Sequence, residues 1–374
     1  MMRTGHFDKH GARVAVVVSP HGLGHAARAS AVVQVMADCR PDLEFHIVTT
    51  VPKWFFADSL RCSFKLQRLI TDVGLVQHNA LEEDLEATLR RLDELSKPSS
   101  GVVDRLARRI DRLRCSVVIC DISPLGIEAA ARCGRPSVLV ENFTWDWIYR
   151  GYRDAPPGLM AHADRLERLV ELADLHIQTR PRCLPSARAE VVGPVARATR
   201  TAPDRVRRRL GVPDGMAMVL LTMGGMSWQY ETLSRLSKHR RAHFVVPGGG
   251  RDARREAGLT VLPFRSDQYH PDLVGASDVV VGKLGYSTVA ETYGSGAAMV
   301  FISRERFRES RVLAEFVRGM TEAEEITSEA FDDGSWLEVL TGLLDRPRRR
   351  ARNADGAGEA ARLILDRYDA QLQP

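Results

Sequence analysis

Two short stretches of this 374-residue chain hold residue types whose spacing can do chemistry. The first is Ser277 to Glu291 (SDVVVGKLGYSTVAE). An apolar run ends in a turn through Lys283 and Gly285, and a helix is expected to begin at Ser287 and Thr288. The first amides of a helix have no partner inside it and carry partial positive charge, so such an end suits a phosphate. Ser287 and Thr288 can cap those amides or donate hydroxyl protons to phosphate oxygens. Glu291 shares a face with Thr288, and a carboxylate there can accept hydrogen bonds from ribose hydroxyls. An ordinary capped strand–helix unit fits the same residues equally well.

The second stretch is Pro20 to His25 (PHGLGH), between an apolar run and an alanine-rich helix. Gly22 and Gly24 let a ligand approach the backbone, and His25 stands at the helix start. An imidazole titrates near neutrality, so it can take a proton from an attacking hydroxyl. Asp121 ends a later strand and can orient that ring, although an acid at a helix N-terminus explains it as well.

The elements that must hold these residues alternate between strand and helix. Strands are expected at Arg13–Ser19, Glu44–Thr50, Phe64–Ile70, Ser116–Cys120 and Ser137–Val140. Helices are expected from Leu23 to about Ala37, over Leu81–Leu95 and Val102–Leu113, and from Ser123 to Cys133. A second series follows Val191-Val192-Gly193-Pro194: strands at Met218–Thr222, His243–Val246, Val261–Pro263 and Ala298–Ile302, with helices at Glu309–Val317 and Gly356–Tyr368. Such alternation gives parallel sheets covered on both faces, with ligands at the carboxyl ends of the strands. Two units of similar size, residues 1–194 and 195–374, the second including a C-terminal helix, imply a cleft between them.

Composition is that of an ordinary globular protein, with 44% hydrophobic and 27% charged residues. The formal charge of +5 is spread over short basic clusters without interleaved aromatics, which argues against a nucleic-acid partner but helps draw in an anionic ligand. Six cysteines show no paired or metal-ligand spacing. The polar start (MMRTGHFDKHG) lacks an apolar signal core, and no stretch is long enough to span a membrane. A cytoplasmic protein is expected.

PHGLGHAAR, LTMGGMS and GKLGYSTVAE together resemble the GT-B glycosyltransferases, on the branch that includes the bacterial peptidoglycan N-acetylglucosaminyltransferase. With DVGLVQHNA (Asp72–Ala80) and NFTWDWIY (Asn142–Tyr149), the chain is most similar to the glycosyltransferase-like N-terminal region of plant-type L-arabinokinases, over roughly Val14 to Val317. No sugar-kinase phosphate loop or kinase-type domain is present in this sequence, so kinase activity is not implied.

The resemblance implies a fold of two Rossmann-like domains facing across a cleft. The second domain would bind a nucleotide diphosphate sugar as co-substrate, and the first a small-molecule acceptor. Ser287 and Thr288, with Gly285 and Tyr286, match the diphosphate positions, and Glu291 the ribose position. Gly224 and Gly225 match a glycine turn opposite the diphosphate. Glu309, beside Arg308 and Ser310, falls where donor-sugar hydroxyls are read, although the family's amide side chains are missing. His25 matches the catalytic base of inverting members. Lys283 departs from the pattern and can neutralise a leaving phosphate. Gln77, His78, Asn142 and Trp145 are candidate acceptor contacts, and core packing explains Trp145, Trp147 and Tyr149 equally well. No cofactor or metal is implied, and Asp332-Asp333 reads as a solvated loop. The alternatives are a nucleotide-sugar epimerase or hydrolase using the same cleft, and a non-catalytic nucleotide-sugar binder that regulates a partner.

Overall fold

The structure is a computed structural model that describes residues 11–79, 81–97, 101–224, 233–346 and 351–373. In the first lobe the strands are β1 (Arg13–Val18), β2 (Glu44–Val48), β3 (Phe64–Gln67), a small antiparallel pair β4 (Val76–Gln77) and β5 (Glu83–Asp84), then β6 (Cys115–Asp121), β7 (Ser137–Glu141), β8 (Leu175–Thr179) and β9 (Glu190–Val192). The main sheet runs β3-β2-β1-β6-β7-β8-β9, with every neighbouring pair parallel. Its central strands are Val- and Ile-rich because both faces are covered by helices.

The second lobe repeats the plan with β10 (Ala217–Thr222), β11 (Ala242–Gly250), β12 (Arg254–Glu256), β13 (Leu259–Pro263), β14 (Val279–Lys283), β15 (Ala298–Ile302) and β16 (Ala323–Glu325). Their order is β12-β13-β11-β10-β14-β15-β16, parallel except for the β12–β13 edge. In each sheet the order reverses beside the first strand. The crevice outside that point receives the loops after β1 and β6 in one lobe, and after β10 and β14 in the other. These are the topological switch points where open α/β sheets bind ligands. PHGLGH, after β1, and KLGYST, after β14, therefore both stand at switch points.

Several local expectations change. β11 runs on through Pro247 to Gly250 because Val246 and Pro247 still pair with Val261 and Leu262, and an irregularity absorbs the glycines. Asp332 and Asp333 close a short helix, Ser328–Asp333, capped by Thr327; they are exposed but not in a loop. The helix after β14 begins at Tyr286 with Gly285 as its N-cap and no side-chain cap, so Ser287 and Thr288 lie inside the first turn and do not cap it.

The C-terminal helix, expected with the second unit, belongs to the first. Residues Gly356–Arg367 cross back and pack on the helix Leu23–Cys39, where Ala360, Ala361 and Ile364 join the core beside Val32 and Met36. Its entry lies against the outgoing passage between the lobes. Val195 pairs with Asp355 in an antiparallel bridge, and Gly193 N donates to Glu359 Oε2 at 2.6 Å. A side chain at Gly356 would run into the Gly193 carbonyl, which fixes the residue as glycine.

Candidate functional site

A cleft of about 410 Å³ separates the lobes, within the size range of small-molecule sites. His25 sits in the first turn of the helix Leu23–Cys39, whose N-cap is Gly22 at φ 76°. It lines the cleft, with its Nδ1 3.1 Å from Asp121 Oδ1. A carboxylate only accepts, so Nδ1 carries the proton and Nε2 keeps the free lone pair. Arg28 Nη2, 3.4 Å from Nδ1, is the longer and weaker contact.

Arg28, one turn after His25, is the residue sequence reasoning missed. It is 2% exposed and donates from Nε and Nη2 to both oxygens of Asp121, each at 2.8 Å. Burial pushes the Asp121 carboxyl up, but the Arg28 charge and the His25 hydrogen bond outweigh it, so Asp121 stays ionised. Arg28 Nη1 also donates to Asn142 Oδ1 at 2.6 Å, and Asn142 Nδ2 donates to Glu309 Oε1 at 2.7 Å. One chain of bonds thus runs from Asp121 in the first lobe to Glu309 in the second. Its i+3 spacing puts it on the same helix face as His25, but that spacing does not name its distant partners.

The other histidine of the turn has a different state. His21 Nδ1 accepts from Leu75 N at 3.2 Å and its ring meets Trp145 edge-on at 4.9 Å. Burial, with the like charge of Arg304 next, holds His21 well below the usual imidazole range, so it is neutral with its lone pair used. Only His25 of the pair keeps a basic nitrogen for a ligand.

From the second lobe, Lys283, Gly285, Tyr286, Ser287, Thr288, Glu291, Gly224 and Glu309 all line the cleft. Gly225 lies outside the described residues. Ser287 Oγ donates to Gly24 O at 3.0 Å across the lobes, and a side chain at Gly24 would press on that hydroxyl. Glu291 Oε1 accepts from Arg197 Nη2 at 3.0 Å, and Oε2 faces His270 Nδ1 at 2.8 Å. Arg197 Nε also donates to Oε1, at 3.2 Å, so it is Oε2 that retains a lone pair for a ligand. The Tyr286 hydroxyl accepts from Val195 N and donates to Arg180 O, both at 3.1 Å, so its side chain fastens the lobe junction. Lys283 is half-buried beside Gly224, and burial pushes its ammonium down to about 8, with Arg304 adding and Glu309 opposing.

On the acceptor side Gly22, Gly24, Gln77 and Asn142 line the cleft, and the Gln77 amide nitrogen has no protein partner. Two expected contacts do not. Trp145 is 2% exposed and packs behind His21 and Phe143, because the chain turns into the helix Trp145–Tyr149 and buries that face. His78 points outward beside Asp84 at 3.8 Å, its side chain 62% exposed. Trp147 lies under the Arg308 guanidinium at 4.0 Å, and the Tyr149 hydroxyl donates to Gly74 O. Trp54 and Phe264, from opposite lobes, meet edge-on at 6.1 Å along the cleft and were not foreseen.

No established family profile matches the chain. Over 323 residues it is 28% identical to L-arabinokinase of Arabidopsis thaliana, covering 82% of this chain but 29% of that protein. An uncharacterized glycosyltransferase of Methanopyrus kandleri is 27% identical over 302 residues, 76% of this chain and 86% of its own length. Among solved structures, the glycotransferase of kitacinnamycin superposes with a TM-score of 0.64 at 18% identity, covering 97% of this chain and 99% of that one. Arabidopsis thaliana UGT89C1 complexed with UDP superposes at 0.60 and 14% identity, covering 95% and 94%. The chain has the GT-B fold. It spans under a third of the plant kinase, so that protein's whole activity does not transfer to this GT-B chain. Among the described residues no helix is long and apolar enough to cross a membrane, and no cluster of three or more His, Cys, Asp or Glu can hold a metal ion.

Proposed function

We propose that this GT-B protein is an inverting glycosyltransferase that moves a sugar from a nucleotide diphosphate sugar to a hydroxyl of a small acceptor. The observation that carries this reading is that one cleft presents an Asp121-oriented imidazole from the first lobe and a helix N-terminus with Ser287 from the second. His25 Nε2 takes the acceptor's hydroxyl proton while the acceptor oxygen bonds to the anomeric carbon. The bond from that carbon to the β-phosphate oxygen breaks, and its electron pair leaves with the nucleoside diphosphate. Attack opposite the leaving group inverts the carbon.

Gly224, Gly285, Ser287 and Thr288 hold the diphosphate with backbone donors and the Thr288 hydroxyl, and Lys283 meets the charge that develops on it, so the step needs no metal. Glu291 takes the ribose hydroxyls and Glu309 the sugar hydroxyls, while Gly22, Gly24 and Gln77 border the acceptor. UDP in a solved protein of the same fold supports the ligand class.

Thermal shift across nucleoside diphosphates tests the reading. At about 100 times the dissociation constant, a ligand specific to the folded state adds ~2.7 kcal/mol of stability. No shift with any nucleoside diphosphate counts against the proposal. Rapid donor breakdown without any acceptor would favour the hydrolase or epimerase reading instead.

Lys283 gives the binding a pH dependence. Below about 8 its ammonium is present; above, the free protein holds a neutral amine and must take up a proton to bind the diphosphate. Affinity therefore falls as pH rises through that value, by up to about tenfold per unit for one linked proton. Calorimetric titration in alkaline buffers checks this, and Lys283→Arg, which stays charged, flattens the fall. An equal fall in the arginine variant would assign it to another group.

A further inference from the structure

The proposed reaction does not use Arg304, a buried cation of the cleft. Arg304 follows β15, is 7% exposed and lines the cleft, with its guanidinium 3.5 Å from the centre of the Phe307 ring. Its Nε has no partner, and the side chain makes no hydrogen bond or ion pair among the described residues. Glu309 and Glu83 lie near enough to offset part of its charge, but neither is hydrogen-bonded to it. Glu309 Oε1 accepts from Asn142, and Glu83 lies 3.4 Å from Arg306. Burying a guanidinium with no hydrogen-bonded carboxylate is costly, so the site suits an anion brought by a ligand.

Resting on the proposed function, we infer that Arg304 is a specificity-determining residue that pairs with a carboxylate carried by the reacting substrates. The diphosphate already has Lys283, Gly224 and the Ser287 helix turn. Arg304 reaches toward the first lobe: it lies over Phe307, whose ring meets Phe143 at 5.9 Å, and Phe143 meets His25 at 5.9 Å, while its charge acts on His21 as well as on Lys283. That is the junction of transferred sugar and acceptor. A planar guanidinium held over a ring offers a carboxylate two parallel donors, a pairing a neutral hydroxymethyl group cannot match. The carboxylate belongs either to a uronic acid donor or to an acidic acceptor.

Calorimetry with UDP, UDP-glucose and UDP-glucuronate, or the thymidine or guanosine counterparts if thermal shift selects another base, separates these sources. A uronate donor is expected to bind at least tenfold more tightly than the glucose compound. Arg304→Gln should abolish that difference while leaving affinity for the nucleoside diphosphate within about threefold, which also shows that the variant folds. In a second arm, with UDP bound, 4-hydroxybenzoate is compared with 4-hydroxybenzamide. A preference for the acid that is lost in Arg304→Gln places the carboxylate on the acceptor. Arg304→Lys keeps the charge without the fork and should retain only part of either preference.

Absence of a carboxylate preference in both arms, with UDP still bound, overturns this inference and leaves the proposed function standing. A tenfold loss of UDP affinity in Arg304→Gln also overturns it, because the residue would then be a diphosphate ligand. Failure of the wild-type protein to bind any nucleoside diphosphate overturns both readings.

Discussion

His25→Ala is expected to lower turnover by about 10²–10⁴-fold, the range for losing a positioned general base, while nucleoside diphosphate affinity stays near that of the wild type. The separation follows from geometry. His25 belongs to the first lobe, whereas the diphosphate donors Ser287, Thr288 and Lys283 belong to the second. The assay is nucleoside diphosphate release with a donor and acceptor pair, alongside calorimetry of the diphosphate alone. Undiminished turnover would remove His25 as the base. Loss of diphosphate binding would mean that the turn Pro20–His25 shapes the donor site.

Arg28→Met is expected to cost about 3–5 kcal/mol of stability, because it leaves the Asp121 carboxylate buried without its counter-ion. Arg28 and Asp121 are 2% and 1% exposed, so water cannot replace the lost bonds. Urea unfolding measures the change as a shift of midpoint at constant slope. The double variant Arg28→Met with Asp121→Asn should lose less than the sum of the single losses, since the stranded charge is gone. A loss under about 1 kcal/mol in Arg28→Met would show that the carboxylate finds another partner or a proton.

Which parts of this architecture could be seen in the sequence follows from the range of the interactions involved. The turns after β1 and β14 are written in consecutive residues, an apolar run followed by glycines and hydroxyls, and the structure puts both at switch points. The network behind His25 is not local. Arg28 meets partners 93 and 114 residues away, and the Arg197–Glu291 pair is 94 residues apart, so neither the period nor the spacing of a segment could reveal them. Arg304 is one charge among several in the run Arg304–Arg308, and what sets it apart is the Phe307 ring and the opposing lobe packed around it. Trp145 and His78 failed for a related reason. A loop's composition does not say which way it turns, and Trp145 turned into the core while His78 turned to solvent. The final helix shows its apolar stripe plainly, but a stripe does not name the sheet it will cover.

The backbone passes between the lobes at 193–195 and returns at 355–356, and the two passages lie against each other as an antiparallel ribbon. A single connecting thread would let two bodies tumble freely; a paired one favours swinging about its own line and resists twisting out of register. Tyr286, tied to Val195 and Arg180, sits next to that line. A swing about that line would be smallest beside Tyr286 and largest at the far rim of the cleft.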